Sequence, residues 1–168
     1  MSKLLFILLL VGSTTIMWAQ STLNPEFEEK IEGIISHSIP TISCERLQSK
    51  LNRPNLVLLD AREQEEFTIS HLKDAKWVGY NTFDKKYVEG IDKDAMVVVY
   101  CSVGYRSEKI AEQLKAMGYN KVYNLYGGIF EWMNRSYLLL DSKEQPTTSV
   151  HAYDKDWGRW LDKGTKVY

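Results

Sequence analysis

Residues 96–107 read MVVVYCSVGYRS. The opening MVVVY is β-branched and aromatic without a polar break, the composition of a strand rather than of a solvent-facing turn. A continuous apolar run of this length, with no alternation, marks a strand covered on both faces. Cys101 ends it. Beyond Gly104 the pattern changes: Ile110, Ala111, Leu114 and Met117 recur at helical spacing, and Gly118 stands where a helix-terminating glycine belongs. Strand, tight loop and helix therefore meet at one thiol.

The same alternation extends in both directions. Residues 55–60, NLVLLD, form a second buried strand bounded by Pro54 and Asp60, followed by a brief helix in AREQEEFTISHL and a short strand in AKWVGY. Downstream, KVYNLY predicts another strand, GG a turn and IFEWMN a short helix. Strands alternating with helices at this spacing predict the α/β class: a central, mostly parallel sheet of about five short strands with helices on both faces. Before this core, Phe27, Ile31, Ile34 and Ile35 predict an amphipathic helix closed by Pro40. TISCERLQSKL predicts a second helix capped by Thr41 or Ser43, with Cys44 as a small apolar filler in its first turn. From Arg135 the regular order weakens: DSKEQPTTS is polar and loop-like. The Trp- and Tyr-rich end, AYDKDWGRWLDKGTKVY, predicts a tail packed back on the domain, in preference to a partner-binding surface.

A chain of 168 residues accommodates one ordinary domain with extensions. Its net charge of -1, without any five-residue block of one sign, argues against a nucleic-acid partner. The N-terminus has the three-part layout of a secretory signal: Lys3, an apolar stretch from Leu4 to Val11, then STTIMWAQS with small residues at Ala19 and Ser21. The span to Ala19 falls short of the ~20 mainly apolar residues that a membrane-crossing helix requires. A signal over residues 1–21, cleaved after Ser21, predicts export to the bacterial periplasm or secretion, with no stable membrane insertion afterwards. Only Cys44 and Cys101 are available for a bridge. Two cysteines do not make a disulfide framework, and the chain is long enough to bury a core without one.

In an open α/β sheet, ligands gather at the carboxyl ends of the strands. Gly104 permits a tight curl, so that loop N–H groups and the helix N-terminus turn inward as an anion nest. A thiol held there is expected to ionise more readily. Arg106 breaks a local rule, because a cation at a helix start costs about 0.3–1 kcal/mol. Such violations concentrate at functional sites, and a guanidinium facing the loop suits an anionic sulfur or oxygen donor.

Three segments together resemble the rhodanese (sulfurtransferase) family. CSVGYR has the six-residue Cys-x-x-Gly-x-Arg form of its active loop. LLDAREQEEFTISHLKDAKWVGY resembles its Asp-x-Arg … Glu-[Phe/Tyr]-x-x-Gly-His-[Ile/Leu]-x-x-Ala segment, with Ser70 where glycine is usual. VYNLYGGIFEW is similar to its Leu-x-Gly-Gly-x-x-x-Trp ending. The resemblance implies a rhodanese-like fold over residues 41–135, between a helical extension at 22–40 and the tail at 136–168. It implies that Cys101 is a nucleophile that carries a sulfane sulfur as a persulfide. The backbone N–H groups of Ser102, Val103, Gly104, Tyr105 and Arg106 would cradle that sulfur, and Arg106 would orient the donor. Asp60 and Arg62 would support the loop, and His71 would be structural. It implies no metal and no cofactor. The partners it implies are a small anionic donor such as thiosulfate, a thiol or cyanide acceptor, and a protein acceptor of unknown identity.

Loop length separates this chemistry from that of tyrosine phosphatases and their arsenate-reducing relatives, which place five residues between Cys and Arg. Here four intervene, a ring suited to one sulfur atom rather than a tetrahedral oxyanion. Two other readings fit the same residues: a non-catalytic rhodanese-like module that binds a partner, and a thiol redox protein in which Cys101 pairs with Cys44 or another protein. The uncharged SVGY in mid-loop lacks the basic residues often linked with thiosulfate preference.

Overall fold

A computed structural model describes residues 21–168, so residues 1–20 of the expected signal lie outside the described residues. In chain order the elements begin with α1 (Pro25–Glu32), β1 (Thr41–Ile42), α2 (Cys44–Gln48), β2 (Leu56–Asp60) and α3 (Gln64–Ile69). Next come β3 (Lys76–Trp77), a 3-10 turn at Lys85–Tyr87, β4 (Met96–Tyr100), α4 (Tyr105–Ala116), β5 (Lys121–Leu125) and α5 (Gly128–Asn134). The tail adds β6 (Leu139–Leu140), β7 (Pro146–Thr147), β8 (Ser149–His151), α6 (Lys155–Gly158) and β9 (Thr165–Val167).

The first five strands form one sheet in the order β1-β5-β4-β2-β3, every pair parallel. β4 lies at its centre with Val97, Val98, Val99 and Tyr100 all fully buried. The two-residue period of the strand divides them between the faces. Val98 and Tyr100 join a core built with α1, α2 and α5 through Phe27, Ile31, Leu47, Phe130 and Trp132. Val97 and Val99 join a second core with Ile110, Ala111 and Leu114 of α4. The uninterrupted apolar run is thus a two-sided burial requirement, and the expected parallel α/β sheet with helices on both faces is present.

Several expected boundaries shift. The first helix ends at Glu32, capped by Gly33, rather than running on to Pro40. Its start is fixed by Asn24, whose side chain accepts from the Glu26 and Phe27 amides, and by Pro25 in the first turn. Thr41 is no helix cap: it pairs with Asn124 as the edge strand β1, and Ser43 caps α2 by accepting from the Arg46 amide. The second short strand shrinks to two residues.

The tail is more ordered than its composition suggests. β7 lies within the stretch expected to be loop and pairs antiparallel with β6 just before it, where Leu139 and Leu140 are buried and Leu140 is tied to His71 by a β-bridge. β8 and β9 pair in parallel. Val150 and Leu161 are buried in the first core, and Trp157 and Trp160 pack against it. The Trp160 ring stacks on Phe27, with centroids 5.7 Å apart. No helix among the described residues is long and apolar enough to cross a membrane.

Candidate functional site

Cys101 follows the last residue of β4 at the carboxyl edge of the sheet, and α4 begins at Tyr105, one residue before the expected start. Gly104 adopts φ +126°, a conformation open to glycine and strained for other residues, and this turns its amide onto the Cys101 Sγ at 3.1 Å. Tyr105 and Arg106 occupy the first turn of α4, where amides have no intrahelical acceptor. The Ser107 hydroxyl lies 3.4 Å from Sγ and 2.7 Å from the Asn124 Oδ1. Asn124 on β5 in turn donates from Nδ2 to the Gly104 carbonyl at 2.9 Å, which fixes the loop from the neighbouring strand.

The first loop carbonyls face the other way. Cys101 O accepts from the Ile129 amide at 2.9 Å and Ser102 O from the Phe130 amide at 3.1 Å. The first turn of α5 thereby holds the carbonyl side of the loop. Gly128 makes this approach possible: a Cβ there would stand 2.6 Å from Ser102 O and closer still to Cys101 O. The two glycines of the sequence motif are an α5 docking device as well as a turn.

Arg106 does not face the loop as an unpaired cation. Its guanidinium is bidentate to Glu66 of α3, with Nη1–Oε2 at 2.6 Å and Nη2–Oε1 at 2.9 Å. The same Nη2 donates to Ser102 Oγ at 2.9 Å, so the side chain ties the helix start back to the loop. Burial opposes charge on both partners, but pairing prevails: Glu66 is held below the ordinary carboxylate range and Arg106 above the ordinary guanidinium range. Glu66 also accepts from the Glu63 amide, completing the capping box of α3. Arg106 thus meets the loop as one half of an ion pair with Glu66 rather than as a lone cation. Sequence alone does not single out the partner, because EQEE offers several carboxylates in one short helix, and which one points inward depends on the helix phase.

A lowered pKa in the folded state contributes stability above the ordinary glutamate range, and that contribution is lost as pH falls through the folded value. Glu66→Gln is expected to destabilise the protein at neutral pH by about 3 kcal/mol, the scale for stranding a buried charge. It is also expected to flatten the loss of stability on acidification. Urea unfolding of both proteins between neutral and acid pH measures this; parallel curves would refute the assignment.

Asp60 and Arg62 form a fully buried pair, Nη2–Oδ2 at 2.6 Å. Arg62 also donates to the Ser70 carbonyl at 2.6 Å, at the end of α3. Support of the Cys101 loop is thus relayed: the pair anchors α3, and α3 presents Glu66 to Arg106 and Ser102. Ser70 has φ -164°, an extended backbone that any residue adopts, so the departure from glycine strains nothing. His71 stacks on Phe67 and contacts Glu144 at 3.3 Å through Nε2, away from the thiol. Cys44 and Cys101 are both free thiols. Cys44 is buried beneath Tyr126 O and its thiol is pushed up by that burial. The disulfide alternative has no bond here.

A cavity of about 680 Å³ opens over Cys101. Ser102, Val103, Tyr105 and Arg106 form its floor with the thiol. Ile34 contributes one wall, Glu63 and Tyr80 another. Tyr153 and Trp157, from the tail, form a third. The Tyr153 ring lies over the Arg106 guanidinium at 5.5 Å.

A family model described as a rhodanese-like domain matches residues 43–135. The tRNA uridine(34) hydroxylase of Enterobacter sp. (strain 638) is 28% identical over 100 residues, which cover 56% of this chain and 29% of that protein. The chain therefore spans less than a third of the length of the curated relatives it matches. Among solved structures, thiosulfate sulfurtransferase from Pseudomonas aeruginosa superposes with TM-score 0.59 at 23% identity, over 80% of this chain and 25% of that one. The polysulfide-sulfur transferase homodimer from Wolinella succinogenes gives TM-score 0.53 at 21% identity, over 70% and 88%. At these identities the likeness is one of fold.

Proposed function

Because the chain belongs to the rhodanese-like domain family, we propose that it is a sulfurtransferase that carries a sulfane sulfur on Cys101. The observation that supports this most directly is the Gly104 amide on Sγ, in a loop whose Cys101 and Ser102 carbonyls are turned toward α5. In the first half-reaction the Cys101 thiolate attacks the outer sulfur of a donor. An S–S bond to the enzyme forms, the donor's S–S bond breaks, and the electron pair leaves with sulfite, sulfinate or thiolate. In the second, a thiol or cyanide attacks the terminal sulfur and restores the thiolate. The loop amides offset the charge that sits on sulfur throughout, and no proton transfer through His71 is needed.

The net charge of -1 weighs against extending the tRNA chemistry named for the curated relatives to this chain. Intact-mass spectrometry after incubation with thiosulfate, a thiosulfonate and glutathione persulfide tests the reading. One added sulfur, located on Cys101 rather than Cys44 and discharged by cyanide as thiocyanate, is the expected result. Failure of all three donors to add sulfur would sink it.

A further inference from the structure

We infer that the tail makes this site selective for sulfur donors with an aromatic or bulky apolar body, in preference to thiosulfate; this rests on the sulfurtransferase reading above. The charge balance of the cavity is the first ground. Among its lining residues the cation is Arg106, already neutralised by a bidentate carboxylate, and Glu63 adds a negative charge. A small dianion entering here exchanges water for no free cation. Size is the second ground. At about 680 Å³ the cavity lies in the range that encloses organic ligands, far above the needs of a small inorganic anion.

The third ground is where the walls come from. Tyr153 and Trp157 lie outside residues 43–135, so the aromatic wall belongs to the tail and not to the family domain. Tyr153 stands at φ +66°, which is strained for a tyrosine, with its side chain largely exposed over Arg106. The strain is held in place by neighbours on both sides: the Tyr153 amide donates to His151 Nδ1, and Asp154 caps α6 through the Trp157 amide. An aromatic donor body stacked on these rings would lie in the same cavity that Cys101 lines.

The experiment compares donors that share one reactive head. Benzenethiosulfonate and methanethiosulfonate each transfer the outer sulfur to the Cys101 thiolate and release the corresponding sulfinate. Loading rates are measured by intact mass and divided by the rates with a free small thiol, which removes intrinsic reactivity. The aryl donor is expected to exceed the methyl donor by about tenfold after this correction, and thiosulfate to be slower than both. Tyr153→Ala and Trp157→Ala are each expected to erase most of the aryl advantage while still loading sulfur. Should Trp157→Ala not fold, Tyr153→Ala decides alone, since its side chain is exposed. A corrected ratio near one in the wild type, thiosulfate loading as fast as the aryl donor, or an unchanged ratio in the variants overturns the inference. If no donor loads Cys101, it is the sulfurtransferase reading that fails.

Discussion

Cys101→Ser is expected to abolish sulfur loading and thiocyanate formation while leaving the fold intact. Serine is close to cysteine in volume, and its hydroxyl can accept from the Gly104 amide that now meets Sγ at 3.1 Å. The thermal midpoint should therefore move little. Activity should not survive, because a serine hydroxyl stays protonated near neutrality and forms no persulfide. Cys44→Ser is the matched control. Cys44 is fully buried on the opposite side of α2's first turn from solvent, and it does not line the cavity. Residual transfer in Cys101→Ser that disappears in the double variant would move the chemistry to Cys44 and refute the assignment.

Gly128→Ala is expected to be the most damaging alanine substitution among the described glycines. The residue sits at φ +56°, where a Cβ already costs about 1 kcal/mol or more. That Cβ would also overlap two carbonyl oxygens, those of Cys101 and Ser102, and neither belongs to a flexible side chain. Moving them away breaks the bonds from the Ile129 and Phe130 amides and undocks α5, which carries the buried Phe130 and Trp132. Together these effects amount to roughly 3–5 kcal/mol, a large part of the 5–15 kcal/mol typical of a domain. A fall of about 10 °C in the melting temperature is the corresponding observable. Gly118→Ala provides the contrast: its φ is also positive, but a methyl added there would meet nothing within 4 Å, so only the conformational cost applies. Equal losses in the two variants would refute the docking argument.

How much of the fold and the site is legible in the sequence follows from the range of each interaction. β4, β2 and β5 are readable because two-sided burial leaves an unbroken apolar run, and α4 because its single buried face keeps the helical period. The thiol and the glycine are readable because strand, curl and helix are contiguous in sequence. Glu66, Ser107 and Asn124 are not, since each acts on the loop from a different element or turn. A buried asparagine in the otherwise apolar KVYNLY is the available hint: Asn124 is fully enclosed, and a strand tolerates that only when the amide is satisfied. The small tail strands escape because two or three residues carry no period. Tyr153 and Trp157 can be expected to pack, but which cavity they reach is decided by a path from β8 past α3 that no local pattern encodes.

The stacking of Phe27 on Trp160 has a kinetic meaning. It joins rings near opposite ends of the described chain, next to the contact of Lys30 with Trp157 at 5.0 Å. Contacts of such separation form late, because the closure entropy of a long loop must be met before the contact rewards it. The sheet can assemble from β2, β4 and β5 while the final residues are still unorganised. The thiol would then stand in its loop, already fixed by Asn124, before it has a donor wall. Pulse-labelled hydrogen exchange during refolding should protect β4 amides ahead of those in β8 and β9; simultaneous protection would contradict this order. On this order, donor recognition would be the last property the molecule acquires on its way to the native state.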